Sequence, residues 1–359
     1  MPTGVCVRSE KKYDGPEAIL YLKNPKCLKR ILMRGDIGLG ESFINEDWDT
    51  PDLFSFLSLC ALNADNMGRF ANGSIVQKII WRFVNSVIRR NTKTGSRKNI
   101  MAHYDVGNDF YSQWLDKSLT YSSALFENEQ MSLEDAQNMK YQRILDQLPK
   151  DAHTILEIGC GWGGFAEYAA LKGKKVTGIT ISPAQYAYAK KRLGNKANIH
   201  LCDYRDIKEK YDAVVSIEMF EAVGEAFWAG YFKTIYACLK PNGKAVIQSI
   251  TVRDDLFNAY RKRNDFIRFY TFPGGMLPSA QKFQKYAHEA LLTTEDTFFF
   301  GKDYKKTLLL WLKKLNTLNT LHLEKGKHFV KSWQFYMALC AAGFDCGRIN
   351  VAQFTLVKN

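Results

Sequence analysis

The sequence predicts a doubly wound α/β fold preceded by a smaller α/β unit, and three observations carry that prediction. From Thr154 to Ile250, short β-rich runs alternate with helical stretches. A glycine-rich turn, Gly159-Cys160-Gly161-Trp162-Gly163, joins the first of those strands directly to a helix. Upstream, residues 16–62 carry short apolar runs around Arg34-Gly35-Asp36-Ile37-Gly38-Leu39-Gly40 and the turn signal Thr50-Pro51-Asp52, which read as a small mixed unit.

Taken in order, the first long element is a helix at 75–88, where Ile75, Val76, Ile79, Ile80, Phe83, Val84, Val87 and Ile88 recur at helical spacing. Every charge from Lys78 to Lys98 is positive: Lys78, Arg82, Arg89, Arg90, Lys93, Arg97 and Lys98. Such a face suits either an anionic membrane surface or a helix docked on a core with its basic side in water. The polar stretch Asn91–Asn99 reads as a linker. The chain is therefore expected to divide into an accessory, membrane-facing unit at 1–90, a linker at 91–99 and a main domain at 100–359. In the main domain, strands are expected at 154–158, 175–181, 198–202, 213–217 and 244–250, with helices at 163–171, 183–193 and 228–239. In sheets of this kind ligands bind at the carboxyl ends of the strands, so functional residues are expected just after each strand.

Composition sets the outer limits. With 359 residues, 46% apolar and 13% aromatic, the chain can fill one large core and a smaller one. Nothing in it approaches the ~20 consecutive apolar residues that cross a bilayer, and no leader is evident at the start, so a cytoplasmic protein is expected. The eight cysteines are scattered without C-x-x-C pairs, which argues against a disulfide framework or a zinc site. A formal charge of +13 favours anionic partners. Nucleic acid is not expected among them, because no basic and aromatic binding motif accompanies the charge.

The glycine turn selects the cofactor. A nicotinamide dinucleotide site wants G-x-G-x-x-G and an acidic residue about 20 positions on for the ribose. Here the third glycine comes one residue early, and the second strand ends at Thr180-Ile181-Ser182 without a carboxylate.

The stretch Glu157-Ile158-Gly159-Cys160-Gly161-Trp162-Gly163 resembles instead the turn of class I methyltransferases, which bind S-adenosylmethionine. Further blocks, from His103-Tyr104-Asp105 through Leu119-Thr120-Tyr121-Ser122-Ser123-Ala124, Ser216-Ile217-Glu218-Met219-Phe220-Glu221-Ala222-Val223-Gly224 and Phe272-Pro273-Gly274-Gly275 to Tyr336-Met337-Ala338-Leu339-Cys340, make the chain similar to the cyclopropane fatty acid synthase and mycolic acid cyclopropane synthase family. The resemblance runs from about Arg34 to Val357. It implies a class I methyltransferase core with a helical acyl-binding lid at about 251–330, acting on the double bond of an unsaturated phospholipid acyl chain. A methyltransferase of a small amine or other non-lipid acceptor is the alternative.

The same resemblance implies cofactor contacts at Tyr121, Ser122, Gly159, Gly161, Gly163, Thr180, Gln185, Tyr204 and Arg205. It also brings a bound bicarbonate as base, oriented by Glu221 and held by Tyr304 and the backbone N–H of Ile250. Ser123 and Gln248 stand where the best-known members have cysteine and histidine; both can still hydrogen-bond an oxyanion. Cys340 matches a cysteine suspected as the family's nucleophile, yet an alkene acceptor gives a thiolate no task, so it is read as packing. Phe257, Phe266, Phe269, Tyr270, Phe272, Met276 and Leu277 are expected to wall the acyl channel. The implied location is peripheral, on the inner face of an anionic membrane.

Overall fold

The computed structural model describes residues 14–66, 91–93, 107–318 and 326–358, together with residues 4, 6–8 and 95. The helix expected at 75–88, the cations of the basic run other than Lys93, and the start of the block at His103 lie outside the described residues. Lys93 pairs with Asp206.

The N-terminal unit is a two-stranded antiparallel ribbon, β1 (Tyr21–Leu22) with β2 (Trp48–Asp49), and three helices, α1 (Lys26–Arg34), α2 (Asp36–Ile44) and α3 (Leu53–Leu62). The glycine-rich stretch makes the corner between α1 and α2. Gly35 takes φ 59°, and Gly38 lies so close beneath α1 that a Cβ there would stand 2.3 Å from the Arg30 carbonyl oxygen. Asp52 caps α3 by accepting from the Ser55 N–H. Phe43, Trp48 and Leu57 enter one apolar core with Phe266, Trp311, Phe335 and Met337 from the far end of the chain.

The main domain begins with α4 (Asn108–Ser112) and α5 (Leu133–Gln147). It continues β3 (Thr154–Ile158), α6 (Gly164–Leu171), β4 (Lys175–Thr180), α7 (Pro183–Leu193), β5 (Asn198–Leu201), β6 (Tyr211–Ile217), α8 (Trp228–Cys238) and β7 (Leu239–Val252). After β7 come α9 (Asp254–Tyr260), a π-helical turn at Ile267–Thr271, α10 (Ala280–Glu289), β8 (Leu292–Phe299), α11 (Gly301–Asn316), α12 (Gly326–Asp345) and β9 (Ile349–Lys358). The seven-stranded sheet has the order β5-β4-β3-β6-β7-β9-β8. Its first five strands are parallel, and β9 inserts antiparallel between β7 and β8. The strand order reverses at β3, which places the ligand crevice at the carboxyl ends of β3 and β6.

The segment expected to be a helical lid is only partly one. Residues from α9 to Leu277 cover the crevice, whereas α10, β8 and α11 return to the sheet and its core. β8 reads Leu-Thr-Thr-Glu-Asp-Thr-Phe-Phe and lies at the sheet edge, where its polar residues meet solvent and blur the alternation that marks a strand. Of the residues expected to wall a channel, Phe257 and Phe266 are packed away in the cores, Tyr270 is exposed and Phe269 is not among the lining residues, while Phe272, Met276 and Leu277 do line the crevice.

Candidate active site

A cavity of about 490 Å³ opens at the carboxyl ends of β3, β4, β6 and β7, within the ~300–1,000 Å³ usual for small-molecule sites. Its floor is the glycine turn. Gly159, Gly161 and Gly163 all have positive φ (81°, 54° and 86°), but for different reasons. A Cβ on Gly159 would stand 2.8 Å from Met219 Cγ, and one on Gly163 2.8 Å from Leu193 Cδ1, so these two serve protein packing. A Cβ on Gly161 would meet no protein atom and would point into ligand space. Gly163 is not among the lining residues, so its expected cofactor contact is replaced by a packing role at the start of α6.

At one end the cavity is lined by Thr180, Gln185, Asp203, Tyr204 and Arg205, each at or just after the end of a parallel strand. The Thr180 hydroxyl donates to Gln185 Oε1 at 2.9 Å. Arg205 is clamped by both oxygens of Asp203, and its guanidinium lies 5.4 Å from the Tyr204 ring centre. Asn91, expected in a linker, is buried here: its amide donates to the Ala222 and Gly274 carbonyls at 2.9 Å, and its own carbonyl accepts from Arg205.

Deeper in, Tyr121 stacks on Phe272 and donates its hydroxyl to Tyr336. The Ser122 hydroxyl accepts from Lys140 Nζ at 2.7 Å. Lys140 is wholly buried, and burial pulls its pKa down to about 7 against the attraction of Glu218, Asp116 and Glu157. Glu157, on β3, lines the cavity with Oε2 buried and unpartnered, and burial pushes its pKa up to about 8. An orphaned carboxyl oxygen beside an empty-faced glycine fits a ligand that brings a hydrogen-bond donor, as the amino group of S-adenosylmethionine does.

The centre of the cavity holds two glutamates from the loop after β6. Glu218 takes φ 51°, a left-handed conformation that costs a non-glycine residue about 1–3 kcal/mol and collects at functional sites. Its Oε1 accepts from the Ser123 N–H at 2.8 Å and from Gln248 Nε2 at 2.7 Å, and its Oε2 accepts from the Tyr304 hydroxyl at 2.6 Å. The amide orientation is fixed from outside. Arg143 can only donate, so it turns Gln353 Oε1 toward itself (2.8 Å); Gln353 Nε2 then donates to Gln248 Oε1 (3.1 Å), which leaves Gln248 Nε2 for Glu218. Glu221 accepts from the Ile250 N–H and the Ser249 hydroxyl with Oε1, while its Oε2 is buried without a partner. Burial, reinforced by the neighbouring Glu218, pushes the Glu221 pKa up to about 8.

This arrangement corrects the expected bicarbonate site. The four donors assigned to one ion divide between two carboxylates: Tyr304, Gln248 and the Ser123 backbone hold Glu218, and Ile250 holds Glu221, the fifth group of the set. The Ser123 hydroxyl is turned away to the Ala124 carbonyl. A tethered carboxylate has the shape and charge of bicarbonate without its translational entropy, and the charged Glu218 would repel a further anion. The residues present do not fit bicarbonate.

Cys340 lines the cavity, but burial lifts its thiol pKa well above the usual range. Cys340→Ala is therefore expected to retain methyl transfer within about fivefold, since a neutral thiol offers no nucleophile; a near-complete loss with normal cofactor affinity would restore the cysteine to the chemistry. Three residues escaped sequence reasoning: Glu218, Lys140 and Asn91. For Glu218 the signal was present as two glutamates three apart directly after a strand. For Lys140 it was a lysine on the same helix face as Ala136 and Ile144.

A family model described as mycolic acid cyclopropane synthetase matches residues 91–354. A tuberculostearic acid methyltransferase of Mycobacterium tuberculosis is 33% identical, over 94% of this chain and 83% of its own. The cyclopropane-fatty-acyl-phospholipid synthase of Escherichia coli K12 is 32% identical, over 94% of this chain and 87% of its own. The crystal structure of a mycolic acid cyclopropane synthase complexed with SAH and CTAB superposes with a TM-score of 0.68 at 30% identity, covering 73% of this chain and 98% of that one.

Proposed function

The chain belongs to the mycolic acid cyclopropane synthetase family and is an S-adenosylmethionine-dependent methyltransferase, and we propose that its acceptor is the double bond of an unsaturated phospholipid acyl chain. The observation that carries this reading is the Glu218 carboxylate. It stands between the glycine turn, where Met219 packs on Gly159, and the apolar end of the cavity, where Tyr304 lies against Phe344, Leu339 and Cys340 line the wall, and Phe272, Met276 and Leu277 cover it.

When bound, S-adenosylmethionine supplies an electrophilic methyl group. An alkene attacks it with its π electrons and needs no prior deprotonation, so the chain must supply dryness, a counter-charge for the carbocation and a base for one proton. The faces of Tyr121, Phe272 and Tyr336 bear on the cation. Glu218 supplies the negative charge. Three donors occupy three of about four acceptor directions on its carboxylate, which leaves one on Oε2 for a proton. Taking that proton from the newly attached methyl lets the C–H electron pair close a cyclopropane; taking it from the neighbouring chain carbon leaves an alkene with a methyl branch, and a methylene branch forms only if a 1,2-hydride shift precedes loss of the methyl proton. Burial keeps the Tyr304 hydroxyl protonated, so it remains a donor throughout. Glu221, neutral below about pH 8, leaves one negative charge at the centre instead of two.

These roles order the two glutamates. Glu221→Gln keeps an oxygen for the Ile250 N–H and keeps the site singly charged, so turnover at pH 7 is expected to fall by no more than about tenfold. A loss as large as that of a Glu218 variant would move the base to Glu221. The acceptor is tested with methyl-tritiated S-adenosylmethionine and vesicles of monounsaturated phosphatidylglycerol. Label recovered in the fatty acids after saponification is expected; label in an amine or head-group fraction would contradict the proposal. No helix among the described residues is long and apolar enough to cross a membrane.

A further inference from the structure

We infer that residues 19–33 form the face by which the protein docks on an anionic phospholipid bilayer, with the cavity mouth at its edge. This inference rests on the phospholipid reading above. Among the described residues, fifteen large apolar side chains are exposed, and seven of them lie in this one stretch. Ile19, Leu20 and Tyr21 lead into β1, and all three are exposed. On α1 the inward side is Cys27, Arg30, Ile31 and Arg34, whereas Leu28, Leu32 and Met33 point outward at 48%, 46% and 52% exposure. Lys26 and Lys29 share that outward side, and residues 18–35 contain no carboxylate. The acid across the ribbon from Tyr21, Asp49, is paired with Lys23, and apolar side chains set among the remaining cations match the acyl and head-group layers of an anionic membrane, not water.

The position of the face gives it a use. α1 ends at Arg34, and two residues later Asp36 lines the cavity and accepts from the Phe266 N–H of the covering segment. Exposed Tyr270 of that segment donates to Glu41, which also pairs with Arg34. A bilayer against α1 therefore lies beside Asp36, Ile267 and Arg268, where an acyl chain leaving the membrane would enter.

The test compares wild type with L28S/L32S and with Leu171→Ser, a control at the end of α6 that is 70% exposed. Each is measured by flotation with vesicles of equal parts phosphatidylglycerol and phosphatidylcholine, and separately for turnover on detergent-dispersed phospholipid. L28S/L32S is expected to bind vesicles at least about tenfold more weakly, with L171S unchanged and detergent turnover unchanged in both. K26Q/K29Q is expected to weaken binding to anionic vesicles and to leave binding to pure phosphatidylcholine alone. Wild-type affinity in L28S/L32S, or a dimer that this variant breaks, would overturn the inference, the latter by showing that a second copy covers the face. Absence of detergent turnover in wild type would instead reject the phospholipid reading.

Discussion

Glu218→Gln is expected to lower kcat by about 10²–10⁴, the range associated with loss of a positioned base, while leaving S-adenosylhomocysteine affinity unchanged. Glutamine keeps an oxygen for Ser123 and Gln248 and has nearly the same volume, so it removes charge and basicity and little else. Two further readouts separate this from structural damage. Burial raises the Glu218 pKa, and an acid whose pKa rises on folding destabilises the fold at every pH above its unfolded value. A neutral amide should therefore leave the melting temperature level or higher. The wild-type rate should also fall as pH drops through that raised pKa, since only the ionised carboxylate can take a proton, and the residual rate of the variant should lack this limb. A variant that loses activity together with thermal stability would mark Glu218 as a structural residue.

The second large effect is on the cofactor. Gly161→Val introduces a β-branched residue at φ 54°, costing about 1–3 kcal/mol locally, and its side chain meets no protein atom, so it enters the space left for a ligand. Affinity for S-adenosylhomocysteine is expected to fall by at least about a hundredfold. At a ligand concentration near 100 Kd the wild type gains about 2.7 kcal/mol of stability, and the corresponding thermal shift should disappear in the variant. A shift that survives would remove the glycine turn from the binding site.

What could be read from the sequence follows from how locally each feature is determined. The strands β3 to β6 lie within about two residues of where β-rich runs and turn residues place them, because β3, β4 and β6 are short parallel strands with mostly buried apolar runs, while β5, an exposed edge strand, is bounded by turn residues. β8 is missing from that reading because an edge strand carries polar residues on its open side. That Thr180, Gln185, Tyr204 and Arg205 would share one cavity was legible as well, since each stands at or just after the end of a strand and the sheet topology brings strand ends together. The reacting centre was not. Which of Glu218 and Glu221 meets Tyr304 depends on a positive φ at Glu218, and the direction of the Gln248 amide depends on Arg143, 105 positions away in sequence. Neither is encoded in a local pattern. Asn91 was misread for the same reason: its neighbours Thr92, Lys93 and Thr94 are polar, but its own partners, Ala222 and Gly274, come from distant loops.

The central claim is that a methyl group is transferred to an acyl double bond and that Glu218 removes one proton from the product. Mass spectrometry of acyl chains after reaction with trideuteriomethyl S-adenosylmethionine and monounsaturated phosphatidylglycerol tests both parts together. The predicted result is an acyl chain heavier by one methylene unit, carrying two deuterons when the new methyl gives up one, as in ring closure, and three when the neighbouring chain carbon gives up its proton, formed by wild type and strongly reduced in Glu218→Gln. An unaltered acyl chain, or full product yield from the Glu218 variant, would contradict it.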